Sequence, residues 1–439
     1  MNVVQLTPGA GAMYCGNCLR DNSLVTALRA LGHPALMVPL YLPLTLDEPD
    51  QSADTPIFFG GISVFLEQKA RWFRHAPSWL HHLLAARPLL RWAAGKAART
   101  RPEQAGELTL SMLQGEHGHQ ARELAALIDW LKTQPQPDIV CLSNALLLGS
   151  ARRLKRDLDA TLVCMLQGED SFLDGLPASH RSACWDALKE RTADVDGFIA
   201  PSRYYADVMV RRLGLPPSRV TVVHNGINLD GYGEPATAPD QATAPPVLGY
   251  FARMCPEKGL DTVVDAFILI RDRGKIPGLR LRVGGSCGPG DLPFVNQLRR
   301  RLEQAMLHEH VEFHPNLDRS RKVAFLRSLT VFSVPARYGE AFGLYVLEAL
   351  AAGVPVVQPR AAAFPELIAA SGGGLLSEPG NAESLAQRVE ELLLNPRGAR
   401  LLGETGRRSV FEKFSAEAMA RAMLEVWRQA PNSRQAPGL

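Results

Sequence analysis

A chain of 439 residues is too long for one hydrophobic core and predicts two or three domains. Its 46% hydrophobic and 21% charged residues are those of a soluble globular protein, and a net charge of +3 excludes a molecule that binds nucleic acid over its whole surface. No run of about 18 apolar residues exists to cross a membrane. The start, MNVVQLTPGAGAMYCGNC, has neither the basic nor the apolar region of a signal peptide. With seven scattered cysteines (15, 18, 141, 164, 184, 255 and 287), the expectation is a reducing, cytoplasmic setting with free thiols.

Short apolar runs then alternate with helical patterns. Val3–Leu6 reads as a strand broken at Pro8-Gly9, followed by a helix from Leu19 to Leu31 that Gly32 closes. Further strands are predicted at Ala35–Val38, Ile139–Leu142, Leu162–Leu166, Phe198–Ala200 and Val220–Val223. The stretch 228–246 is rich in Pro, Gly, Ala and Thr, lacks apolar periodicity and reads as a linker. The pattern then restarts, with strands at Val247–Phe251, Leu279–Val283, Val311–Phe313, Val331–Val334 and Val354–Gln358. Helices are predicted at Leu260–Arg271, Leu292–Leu307, Leu344–Ala352 and, capped by Asn381, Ala382–Leu394. A last helix, Ser415–Arg428, would pack through Met419, Ala422, Met423, Val426 and Trp427. Alternating strands and helices imply parallel sheets. Two such α/β halves would bind ligands at the carboxyl ends of their strands, in a cleft between them.

Residues 64–102 break the pattern. They hold eight Lys/Arg against one Glu, and three of the six tryptophans (Trp72, Trp79, Trp92). Apolar residues at 72, 73, 79, 80, 83 and 84 have amphipathic spacing. Such an arm either lies on an anionic membrane or covers the domain core.

Three stretches carry chemistry. In ARYGEAFGLYVLE (336–348), a strand ends in a loop bearing Glu340, and Gly343 precedes a helix whose first amides, from Leu344, Tyr345 and Val346, form an anion site. Glu340 would reach a hydroxyl-rich group beside that anion, and Glu348 a ribose; the plain alternative for Glu348 is a solvated helix glutamate. In GYFARMCPEKGLDTVVDAF (249–267), Arg253 and Lys258 stand where a strand meets a helix, and two cations there neutralise a diphosphate without a metal. The turn TPGAGAMYCGNC places Gly9 and Gly11 between the first strand and its helix.

Together these stretches resemble the retaining glycosyltransferases of the GT-B fold, family 4 (glycosyl transferases group 1). The resemblance rests on E-x7-E from Glu340 to Glu348 with AlaLeuAlaAlaGlyValPro behind it, and on ArgMetCysProGluLysGly at 253–259. AlaLeuArgAlaLeuGlyHis (27–33), HisAsnGlyIleAsn (224–228), ProGluLeuIle (365–368) and SerGlyGlyGlyLeuLeuSerGluProGlyAsn (371–381) extend it over nearly the whole chain. It implies two doubly wound Rossmann-like domains facing across a cleft. Residues 1–232 would form the acceptor side, 233–246 the linker and 247–412 the nucleotide-sugar side, with helix 415–430 crossing back to the first domain. The implied reaction moves a sugar from a UDP- or GDP-sugar to a glycan, lipid-linked or small-molecule hydroxyl, with no metal or other cofactor. Glu340 would contact the donor sugar, Glu348 the ribose, and Arg253 and Lys258 the diphosphate. The amides of Phe342, Gly343, Leu344 and Tyr345 would complete the donor site, and Gly9 and Gly11 the opposite wall.

The chain departs from the family in places. Gln167 stands where a histidine near the reacting sugar is expected, and glutamine hydrogen-bonds but trades no proton. Glu169 and Asp170 beyond it either approach the cleft or solvate a loop. His117 and His119 are spare candidates on a polar stretch. PheHisProAsn (313–316) replaces the turn beside the base, and Asn228 replaces a common aspartate. Cys15-x-x-Cys18 reads as a redox or a metal pair; it has no second pair for a metal and is expected to line the cleft at a helix start. Gln167 also leaves open a non-catalytic nucleotide-sugar or glycan binder, with an epimerase or a phosphorylase as further readings of the same fold.

Overall fold

The computed structural model describes residues 1–9, 15–59, 102–233 and 245–429. Gly11, the basic arm from 64 to 101 and the linker segment 234–244 lie outside the described residues.

The chain divides into two compact units, residues 1–224 with 419–439, and residues 225–418. In the first, strands β1 (Val3–Thr7), β2 (Ala35–Pro39), β3 (Ile139–Leu142), β4 (Thr161–Met165), β5 (Gly197–Ala200) and β6 (Val220–Val222) form a sheet in the order β2-β1-β3-β4-β5-β6. Every pairing is parallel. β1, β3 and β4 are buried along their whole length. That is why they read as unbroken apolar runs rather than as alternating patterns.

The second unit repeats the plan with β7 (Val247–Phe251), β8 (Arg280–Gly285), β9 (Val311–Pro315), β10 (Val331–Phe332), β11 (Val356–Pro359) and β12 (Gly374–Ser377). They stand in the order β12-β11-β10-β7-β8-β9, again all parallel. Leu248, Tyr250, Phe267, Phe332, Leu347 and Val356 fill its core. The two doubly wound α/β halves expected from the sequence are therefore present. Each sheet reverses its direction of winding once, between β1 and β3 and between β7 and β10, and such a switch point leaves a crevice at the carboxyl ends of the strands.

Several boundaries differ from the sequence reading. The first helix starts at Gly16, not Leu19, because its opening turn is polar and carries no periodic signal. β10 ends at Phe332, and helix Leu292–Gln304 stops before Leu307. The division between units falls after His224, not at 232. Ile227 and Tyr232 are buried in the core of the second unit, and Ile227 is clamped by bonds from its amide to the Phe414 carbonyl (2.9 Å) and from the Ala416 amide to its own carbonyl (2.8 Å). Asn228 makes the local turn expected of it, its side chain accepting from the Asp230 amide at 2.9 Å. Helices Arg319–Arg327 and Pro396–Lys413 have no counterpart in the sequence reading. In the last helix, Ala416–Gln429, the buried residues are Met419, Ala420, Met423, Leu424 and Trp427, so Ala420 and Leu424 take the places expected of Ala422 and Val426.

Candidate functional site

The loops after β7 and β10 meet at the switch point of the second sheet. The Arg337 amide donates to the Glu257 carbonyl at 2.9 Å, and the Arg337 guanidinium to Asp261 at 2.6 Å. Gly259, with φ +71°, lies flat against Pro335: a Cβ there would come 2.1 Å from the Pro335 carbonyl oxygen. Only glycine allows this approach.

Across that seam, the Lys258 ammonium donates to Glu340 Oε2 at 2.5 Å. The Tyr345 and Tyr338 hydroxyls donate to the same oxygen at 2.9 and 3.3 Å. The ammonium also lies over both rings, 4.8 Å from the Tyr338 centroid and 5.2 Å from that of Tyr345. Burial works to raise the Glu340 pKa, but the Lys258 charge and these hydrogen bonds outweigh it and hold the carboxyl below its ordinary range. Burial likewise opposes charge on Lys258, and Glu340 reverses that, raising the lysine. Burial pushes Tyr338 up to about 12, so it remains a neutral donor.

Gly343, at φ +97° and ψ 66°, turns the chain into helix Leu344–Ala351. The Val346 amide folds back onto the Gly343 carbonyl at 3.0 Å. Leu344 and Tyr345 are therefore left as the donors of this helix start, one fewer than the sequence suggests. The Phe342 side chain is buried in the core.

Glu348 is no solvated glutamate. It is buried, and Lys322 of helix Arg319–Arg327 donates to its Oε1 at 2.7 Å, with 6% and 10% of the two side chains exposed. Arg253 holds Asp291 through Nε and Nη2, at 3.1 and 2.9 Å from Oδ1. Asp291 in turn accepts from the Gly288 amide at 2.9 Å, fixing the Gly-Pro-Gly turn.

Sequence reasoning missed Lys322, Asp291 and Tyr338. Lys322 had a readable signal: a cation among Val323, Phe325 and Leu326 matches the misplaced carboxylate of Glu348 in LYVLEALA. Tyr338 and Tyr345 flank the loop glutamate at −2 and +5. Asp291 had no signal, since its partner lies 38 residues away.

Gln167 and Gly9 belong to the first unit. Gly9 has φ +75°, and a Cβ on it would lie 1.9 Å from the Leu42 carbonyl oxygen, so local packing already requires glycine. The Gln167 backbone N–H donates to Glu169 Oε2 at 2.8 Å. Glu169 does not solvate a loop. It is 2% exposed and also accepts from the Ala145 amide (2.7 Å) and the Tyr205 hydroxyl (2.8 Å). Burial raises its pKa despite those bonds. His117 is exposed. Among the described residues no three His, Cys, Asp or Glu side chains cluster to hold a metal, and no helix is long and apolar enough to cross a membrane.

The model of the glycosyl transferases group 1 matches residues 238–409, and that of Glycosyltransferase Family 4 matches residues 104–230. The chain belongs to the family 4 glycosyltransferases. It is similar to the D-inositol 3-phosphate glycosyltransferase of Streptomyces bingchenggensis, 30% identical over 247 residues, which cover 54% of this chain and 53% of that protein. The protein of the same name from Mycobacteroides abscessus is 30% identical over 211 residues, 46% of this chain and 45% of that one. The chain spans about half the length of the curated relatives it matches. Among solved structures, sucrose-phosphate synthase from Thermosynechococcus elongatus superimposes with a TM-score of 0.68 at 19% identity, covering 98% of this chain and 99% of that one. Anabaena HepE in complex with UDP does so with a TM-score of 0.67 at 16% identity, covering 98% and 100%. These two likenesses establish the GT-B fold.

Proposed function

We propose that this chain transfers a sugar from a UDP- or GDP-sugar to a hydroxyl acceptor, with retention at the anomeric carbon and without a metal. The observation that carries the reading is the Lys258–Glu340 pair, set beside the start of helix Leu344–Ala351 at the switch point of the second sheet. All three donors to Glu340 use Oε2, which leaves Oε1 for donor-sugar hydroxyls. Lys258, Arg253 and the Leu344 and Tyr345 amides are preorganised donors for a departing nucleoside diphosphate, the place where charge develops in glycosyl transfer. Arg253 is the more available cation, since half of its side chain is exposed. Fixed cations substitute for the divalent ion that a diphosphate otherwise needs. Glu348, steadied by Lys322, offers Oε2 to the ribose. HepE was solved with UDP, which supports a uridine donor, and the relatives named for D-inositol 3-phosphate support a polyol hydroxyl as one acceptor class.

Calorimetric titration with UDP, GDP and ADP tests this. Binding of one nucleotide, weakened by Glu348→Gln, supports the donor site and names the donor class. Binding of none by the folded protein overturns it. Glutamine is the better control than alanine because it still offers Lys322 an acceptor.

A further inference from the structure

The switch point of the first sheet carries a different chemistry. Cys15 and Cys18 frame the start of helix Gly16–Ala30, the first helix after β1 in the chain. Cys15 is the extended residue before the helix (φ −121°, ψ 120°) and is partly exposed, whereas Cys18 is fully buried. The Thr7 hydroxyl, at the end of β1, donates to the Cys18 sulfur at 4.0 Å. The next turn of the helix is tied to the loop after β3, where Arg20 Nη2 donates to the Ser143 carbonyl and hydroxyl at 2.9 and 3.1 Å. The helix start is thereby fixed at the carboxyl ends of β1 and β3.

The two sulfurs differ in character. Cys18, three residues along the helix, is the chief influence that lowers the Cys15 pKa; burial works against this, and the Cys18 and Asn17 backbone assists, leaving Cys15 at about 7 even with Asp21 nearby. Cys15 in turn, together with burial, raises Cys18, so it stays a thiol. An attacking thiol is most effective when its pKa lies near the ambient pH. The other five cysteines lack this arrangement: Cys141, Cys164, Cys184 and Cys255 are buried, and Cys287 is partly exposed but raised by burial.

We propose that Cys15 and Cys18 are a redox-active dithiol, in which Cys15 attacks and Cys18 resolves on meeting a low-molecular-weight disulfide. The Cys15 thiolate attacks one sulfur of the small disulfide, whose S–S bond breaks. The first small thiolate leaves with the electron pair and takes a proton from water. Cys18 then loses its proton and attacks the Cys15 sulfur, expelling the second small thiolate. Two protein thiols are oxidised to one disulfide, and one small disulfide is reduced to two thiols. This site goes beyond the glycosyl-transfer reading and stands or falls independently of it, since it uses no residue of the nucleotide site.

The test is intact-mass and peptide analysis of the full chain equilibrated in glutathione buffers of increasing disulfide content, with pulsed iodoacetamide labelling at pH 7. The expected result is loss of two hydrogens, located to a Cys15–Cys18 disulfide, before any other cysteine reacts. Cys18→Ser should accumulate glutathione on Cys15, because the resolving thiol is gone. In the untreated wild-type protein, which needs no variant to fold, Cys15 should label about ten-fold faster than Cys287, which is also partly exposed. Equal labelling of Cys15 and Cys287, or a wild-type protein that keeps both thiols or stalls with glutathione on Cys15, would overturn the proposal.

Discussion

Lys258 Nζ and Glu340 Oε2 lie 2.5 Å apart, although 82 residues separate them in the chain. The contact joins the loop after β7 to the loop after β10, and two tyrosine hydroxyls converge on the same oxygen. One side of this relationship is structural and the other is chemical, and the two can be separated by mutation.

Removing either partner leaves the other charge stranded in a largely enclosed place. Lys258→Met and Glu340→Gln should each lower the thermal midpoint, and a double-mutant cycle should return a coupling of about 1–3 kcal/mol. The pH dependence follows from the shifts. The Glu340 contribution is present above its ordinary pKa near 4.5 and is lost as pH falls through the lowered folded value. The Lys258 contribution is present below its ordinary pKa near 10.5 and is lost as pH rises through the raised folded value. Melting curves from acid to alkaline pH should show the wild-type advantage over Glu340→Gln flat between those limits and shrinking below about pH 4. An advantage that grows in acid would contradict the pairing.

Glu348 and Lys322 form a drier pair. Glu348→Ala should cost about 3–5 kcal/mol, because it removes the buried carboxylate that faces the Lys322 ammonium. The double substitution Lys322→Met with Glu348→Ala should recover most of that stability by chemical denaturation, yet should not recover nucleotide binding. If binding returns together with stability, Glu348 has only a structural role.

Gly259→Ala tests the seam itself. The left-handed φ costs about 1–2 kcal/mol for alanine, and the overlap with the Pro335 carbonyl forces the two loops apart. The expected outcome is a lower midpoint together with weaker nucleotide binding in calorimetry. Gly274→Ala, also at positive φ but with open space around it, should cost stability without touching affinity.

Arg253→Lys keeps the charge but loses the fork that grips Asp291 and could grip a phosphate. Because the side chain is half exposed, stability should hardly change, while nucleotide affinity should fall about ten-fold through loss of a charge-assisted hydrogen bond. An unchanged dissociation constant would remove Arg253 from the site.

The sequence made both parallel sheets legible because their strands are buried on both faces, so Val3–Leu6, Ile139–Leu142 and Val247–Phe251 stand out as apolar runs. It also made Glu340, Lys258 and Gly343 legible, because a charge or a glycine at the carboxyl end of a strand sits where ligands bind in such sheets. Helix Pro396–Lys413 was not legible. Its Gly403 and Gly406 weaken a local helix pattern, and only their tight approach to Gly353 and Gly373 explains why glycine belongs there.

By itself, then, the chain determined the repeated strand–helix order, the glycines at the turns and the charged residues at strand ends, all consequences of local periodicity and backbone freedom. Tertiary structure alone decided the partners: Lys258 with Glu340, Lys322 with Glu348, Arg253 with Asp291, and Cys18 with Thr7. Charge pairing, burial and the shift of a pKa depend on distances through space. Those distances are set by which strands become neighbours, and no local pattern encodes that.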